Sequence, residues 1–344
     1  MAEKRTYRPS WIDHLLNWVD SLPFPPAVFF ILLYVLCVLG MNVPLWLEGA
    51  YPPGQFVTAF FFDATWLPFV TGFIYLMNGT AESAIASFRP MLDVSDVEFD
   101  EIAYRFRTLP RVPILIFSLL GLAVGISESA ARHYVFAQPG MPTFSEITWY
   151  IFNNSAFIFL PVWFYFAFRQ LVQVNRLFGM VKKVNLFDLQ QLYGLTSVTL
   201  VVGSFFLALA NLNYVIEVFG GTASLTNEET VNIYLINVGV ALLMVILPLY
   251  GIHNKINREK RNVLSELGQQ VESLRNDLQA DVSGRKFENI QGLERSLTAL
   301  FNLRGQVQAI PAWPWQPGSL RNFLSAIGLP LFIWLMQRVL SQYF

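Results

Sequence analysis

The sequence has one cysteine, Cys37, and three histidines. A lone thiol excludes an internal disulfide framework, and so few soft ligands make a typical zinc site unexpected. Charge is scarce as well. Only 14% of residues are Asp, Glu, Lys or Arg, against about 25% in soluble domains. The net charge is −1, which argues against nucleic-acid binding, because that needs a basic surface. Catalytic signatures are missing too: there is no Walker loop, dinucleotide fingerprint, HExxH or GxSxG. The expectation is a non-enzyme that carries no cofactor. No apolar run contains a lysine for a retinal Schiff base or a ladder of arginines for a voltage sensor. The potassium-filter signature TVGYG is absent.

What is present is apolar. Hydrophobic residues make up 54% and aromatics 15%, and the mean hydropathy is +0.44. Such a chain belongs in a bilayer. A spanning helix needs about 20 mostly apolar residues. Uncharged runs fill 23–46, 147–168, 193–216 and 231–252, and 56–77 is long enough but contains Asp63. Two runs are weaker. The run at 112–127 continues through Glu128 and Arg132, and 322–337 is flanked by Arg321 and Arg338, which can snorkel to the interfaces. The count is therefore seven. The first run is too long for a signal peptide and lacks a small-residue cleavage site. With a cytoplasmic N-terminus, only Arg132 and Arg338 of the 23 Lys and Arg fall outside. The expected fold is an all-α membrane protein with seven transmembrane helices, N-terminus inside, C-terminus outside, and a cytoplasmic helical anchor. The expected location is multi-pass in a plasma or prokaryotic inner membrane.

Residues 1–22 read as an interfacial amphipathic helix. Trp11, Ile12, Leu15, Leu16, Trp18, Val19 and Leu22 share one face, with Asp13, Asn17 and Asp20 opposite. Residues 23–252 form a six-helix bundle. Capping-box patterns at Thr143 with Glu146 and at Thr226 with Glu229 start two spans, and Ser95 with Glu98 starts a helix between spans two and three. Prolines at 68, 161, 248 and 330 interrupt four spans. Residues 253–318 form the anchor and a Trp-Pro linker. Leu264, Leu267, Val271, Leu274 and Leu278 follow heptad spacing, so span six continues into the cytoplasm. The pattern breaks at 281–286, around Gly284. A second helix carries Ile290, Leu293, Leu297, Leu300 and Phe301 on one side. These stripes need partners, and contacts between subunits are preferred over a hairpin within the chain. PAWPWQPG at 311–318 forbids a continuous helix and reads as a turn at the interface. The last helix, 319–344, is about 39 Å long and can cross.

Polar side chains gather toward the outer half of the spans: Asp63, Glu128, Arg132, Asn153, Asn154, Asn211, Glu217 and Asn237, with Trp66, Trp149, Tyr214 and Tyr234 as aromatic walls. This reads either as an outward-opening ligand pocket or as hydrogen bonding between helices beneath an aromatic belt. Ser325, Gln337 and Ser341 are candidate pore-lining residues on the last helix.

With span six extended, then a helical segment, then a short final span, the layout resembles the seven-transmembrane ion channels of insect odorant and gustatory receptors. The likeness is of architecture. The final LMQRVLSQYF lacks that family's Thr-Tyr, and its Gln342 is followed by Tyr343 rather than Phe. The resemblance implies four subunits joined by the 254–318 region, a cation pore along 319–344, and a small-molecule pocket in the outer cluster. The expected function is a ligand-gated, homotetrameric cation channel whose partners are its own copies, the lipid bilayer and a small molecule. The alternatives are a non-conducting sensor or scaffold acting through the coiled-coil helices, and a small-solute carrier using Asp63 and a Glu128–Arg132 pair.

Overall fold

A computed structural model describes residues 7–136, 143–181, 184–220, 228–283, 290–316 and 318–328, together with Phe332 and Met336. Within these, the side chains of 129, 131–136, 213–220, 228–231 and 233 are not described. Among the described residues every regular element is helical. Six helical stretches there are long and apolar enough to cross a membrane: Pro26–Leu47, Thr58–Met91, Arg111–Glu128, Thr143–Met180, Gln190–Leu212 and Tyr234–Ser283. They match the first six runs in the sequence. Of the seventh, 322–337, the described residues are 322–328, Phe332 and Met336.

The helices in order are α1 (Trp11–Asp20), α2 (Pro26–Leu47), α3 (Thr58–Asp63), α4 (Trp66–Phe88), α5 (Asp96–Arg107), α6 (Arg111–Phe136), α7 (Thr143–Met180), α8 (Gln190–Gly220), α9 (Glu228–Ile246), α10 (Tyr250–Ser283) and α11 (Ile290–Ala309). One end of the bundle gathers α1, α5, the C-terminal turns of α7, and the α10–α11 pair. It carries Arg89, Arg105, Arg107 and Arg169 and is called the basic end below; the opposite end is the far end.

Helix α6 packs closely against α7. Gly121 and Gly125 of α6 sit four apart and meet Phe157 and Pro161 of α7. Small residues at this spacing let two backbones approach. Pro161 lies inside α7. A proline has no N–H to give the carbonyl four residues back, so the carbonyl of Phe157 lacks its usual helical donor. Gly121 backs directly onto that carbonyl. Deeper in, Trp163 is fully buried and stacks on Phe205 of α8, with centroids 3.6 Å apart and planes 20° apart.

The apolar face of the N-terminal helix packs on the bundle. Ile12, Leu16 and Val19 are buried, and Ile12 and Leu16 join the same core as Trp163. Ser10 caps α1 in a box with Asp13. The Asp13 carboxylate accepts from the Ser10 hydroxyl and backbone N–H, both at 2.7 Å, and from the Leu109 N–H at 3.1 Å. The residue placed on the polar face therefore ties α1 to the start of α6. Burial of that carboxyl raises its pKa against these donors. Tyr7 continues the attachment: its hydroxyl donates to the Thr108 carbonyl at 2.7 Å and accepts from the Arg169 guanidinium at 2.6 Å. Burial pushes its phenol up to about 12, with Arg169 pulling the other way.

Ser95 caps α5 by accepting from the Glu98 N–H, as the sequence pattern indicates. Span six does continue as α10, which ends at Ser283, and α11 returns along it. Leu267 and Val307 are buried between them, with Leu264, Leu300 and Leu303 packed alongside. The two apolar stripes thus meet within one chain, while Phe301 stays 54% exposed. Two lysines fix the base of this hairpin. Lys255 donates to the carbonyls of Phe178, Gly179 and Val181 at 2.8–2.9 Å. Lys260 donates to those of Gln308 and Ile310 at 2.7 and 2.8 Å. Carbonyls at a helix C-terminus lack intrahelical partners, so each lysine closes a helix end with charge of the favourable sign.

Candidate functional site

The far-end cluster is built on a break in span two. Asp63 ends α3, and Ala64 and Thr65 separate it from α4. The indole N–H of Trp149, on α7, donates to Asp63 at 3.1 Å. Trp149 meets Tyr150 edge to face at 5.1 Å, and Trp66 meets Phe69 likewise. The acid in FFFDATW therefore has a partner on another helix, one side of which is aromatic. Asn154 packs against Gly125 of α6. Asn153, Asn237 and Glu128 are half-buried. The amide oxygen of Asn211 is buried with no hydrogen-bond partner among the described residues; such a group is costly and marks a place for a polar guest or water. Tyr234 is nearly buried and donates to the Ile327 carbonyl at 2.9 Å, so it joins α9 to the last helix. The side chains of Arg132, Tyr214 and Glu217 lie outside the described residues, and so does the expected Glu128–Arg132 pair.

Sequence reasoning missed Glu48. It follows α2, and its carboxylate accepts from the Phe144 N–H at 3.1 Å, the Ser145 N–H at 2.8 Å, and the Ser145 hydroxyl. The first turn of α7 is thus capped from another helix, where charge and donors suit an anion. No local signal could have shown a cap some 96 residues away. Burial works to raise the Glu48 pKa, but the bonds from Ser145 and Phe144 outweigh it and hold the carboxyl below its ordinary range. A carboxylate that binds its proton less tightly when folded stabilises the fold above its unfolded pKa. That stability is lost as pH falls through the depressed value. Glu48→Gln should therefore lower Tm at pH 7, and the gap to wild type should close below about pH 4. A gap that persists unchanged in acid would remove this account.

At the basic end the Trp-Pro linker folds back on α10. Trp313 stacks on His253 with centroids 4.1 Å apart, and Trp315 stacks on Trp313 at 4.9 Å. His253 Nδ1 lies 3.1 Å from the Ala312 carbonyl, and the Asn257 amide nitrogen lies 2.8 Å from Nε2. The tautomer that satisfies both carries its proton on Nδ1.

The last helix starts at this base and runs through 318–328, with Phe332 and Met336 also helical. Phe323 is buried beside Gly203 of α8, and Ile327 packs on the same core. The other side is bare: Leu324, Ser325, Phe332 and Met336 are exposed. Ser325, Phe332 and Met336 are seven and four residues apart, which is one helical face. Gln337 and Ser341 lie outside the described residues.

Comparison with protein-family models, with curated proteins and with solved structures gives no match to this chain.

Proposed function

We propose that the chain crosses a membrane seven times, with its basic end cytoplasmic and its C-terminus outside, and that it is a ligand-gated, homotetrameric cation channel. The observation that carries this reading is the last helix. It is held at its base by the α10–α11 hairpin and the stacked tryptophans, lies with one face on its own bundle, and leaves the opposite face bare. Around a fourfold axis that face meets its own copies. Arg321 and Ser325 are exposed near the base of that face, and beyond them its described residues, Phe332 and Met336, are apolar, so a closed pore would be held shut there by dewetting. The far-end cluster around Asp63 and Trp149 supplies the ligand pocket. A small molecule preferring one packing of these helices shifts the population of the open form.

The test uses the single cysteine. Cys37 is buried at 1% exposure, so Cys37→Ala leaves a background in which Ser325→Cys is the one thiol. Mild oxidation in membranes should join subunits as disulfide-linked dimers, and sealed vesicles holding the wild-type chain should pass monovalent cations. Subunits that stay unlinked in vesicles that stay tight would overturn the channel. Linked subunits in tight vesicles would move the reading to the non-conducting scaffold.

A further inference from the structure

A cavity of about 660 Å³ opens at the basic end between α5 and α7. Two strips of α7, one apolar and one basic, line it side by side. Phe168 and Val172 are apolar and exposed, at 69% and 51%. Arg169 and Arg176 are basic and lie seven apart on the adjoining strip. Arg169 is the first basic residue after the uncharged run 147–168, so the cavity lies at the level where α7 leaves its apolar span.

The donors are partly committed. Arg169 reaches the Arg105 carbonyl at 2.9 Å as well as Tyr7, yet a guanidinium has five N–H donors. Arg176 is exposed and has no ion-pair partner among the described residues. The facing helix brings Glu101, neutralised by Arg105 at 2.6 Å, and Glu98. The charge left is positive by one. Arg is suited to bidentate contact with a phosphate. A soluble anion gains nothing from Phe168 and Val172, whereas a phospholipid uses both walls.

We propose that this cavity holds an anionic phospholipid, with its phosphate on Arg169 and Arg176 and an acyl chain along Phe168 and Val172. Basic pockets at the cytoplasmic ends of membrane helices bind such headgroups. The proposal rests on the membrane reading and not on conduction. A bound lipid would brace α5, α7 and the Tyr7 strap together.

The full chain is placed in nanodiscs of phosphatidylcholine alone or mixed with phosphatidylglycerol, and lipid retained on extraction is read by native mass spectrometry. Wild type should retain phosphatidylglycerol preferentially. Arg176→Gln, which touches no other described side chain by ion pair, should retain about fivefold less, and Glu98→Gln should retain more. Equal retention of the two lipids, or an Arg176→Gln pattern identical to wild type, overturns the site. Inorganic phosphate that stabilises the chain in pure phosphatidylcholine discs as well as phosphatidylglycerol does would overturn the lipid assignment in favour of a soluble anion. A chain that fails to enter discs at all would refute the membrane reading instead.

Discussion

Gly121→Val should cost about 3 kcal/mol or more and leave little folded protein. The new Cβ would overlap the Phe157 carbonyl oxygen and lie 3.0 Å from Pro161 Cδ. A backbone carbonyl cannot swing aside as a side-chain tip can, so α6 and α7 must part along their whole contact. The change also replaces the glycine Cα hydrogen that faces a carbonyl whose helical donor Pro161 took away, where a weak Cα–H···O contact is available. Gly268→Ala is the matching control. It lies inside α10 with open space around it, and alanine is favoured over glycine there by roughly 1 kcal/mol. Thermal unfolding in detergent separates the cases. A Gly121→Val protein melting alongside Gly268→Ala would mean that the helices do not approach as closely as described.

Phe332→Ser should raise basal ion flux about tenfold or more if the bare face of the last helix lines a pore. Phe332 is 61% exposed and Met336 45%, on the same stripe as Ser325. A hydrophobic constriction blocks ions because water leaves it, and a hydroxyl lets water return. Lowering that barrier by about 1.4 kcal/mol is already tenfold in rate. Leu320→Ser, near the base of the helix, should not produce the leak. Vesicle flux for Phe332→Ser equal to wild type, in a channel that otherwise conducts, would place the gate elsewhere.

Local signals in the sequence were the readable ones. Runs of about 20 apolar residues located the six described spans, because span length is set by bilayer thickness. Heptad spacing from Leu264 predicted that α10 would outrun its span, and Ser95 with Glu98 marked the start of α5. The partners of these elements were less legible. An apolar stripe looks the same whether it faces another subunit or α11 of its own chain, so the hairpin ranked second to contacts between subunits. Asp13 reads as solvent-facing until Leu109 is brought against it, and Glu48 has no helix to cap until α7 arrives. Gly121 and Pro161 each mean little alone and matter only as a pair across two helices. At the far end, Asp63 did need a partner, and Trp149 provides one; whether the cluster binds a ligand is a question of shape that composition does not carry.

The hairpin is also a lever. Lys255 and Lys260 bind the root of α10 to the ends of both α7 and α11, while α10 itself runs 34 residues, or about 51 Å. From Lys255 to Ser283 the arm is about 42 Å, so a tilt of about 10° there would carry the end of α10 through roughly 7 Å. Motions too small to see inside the bundle would thus be magnified at the end of α10. A pair of probes near the hairpin tips would report the state of the bundle like a needle on a dial.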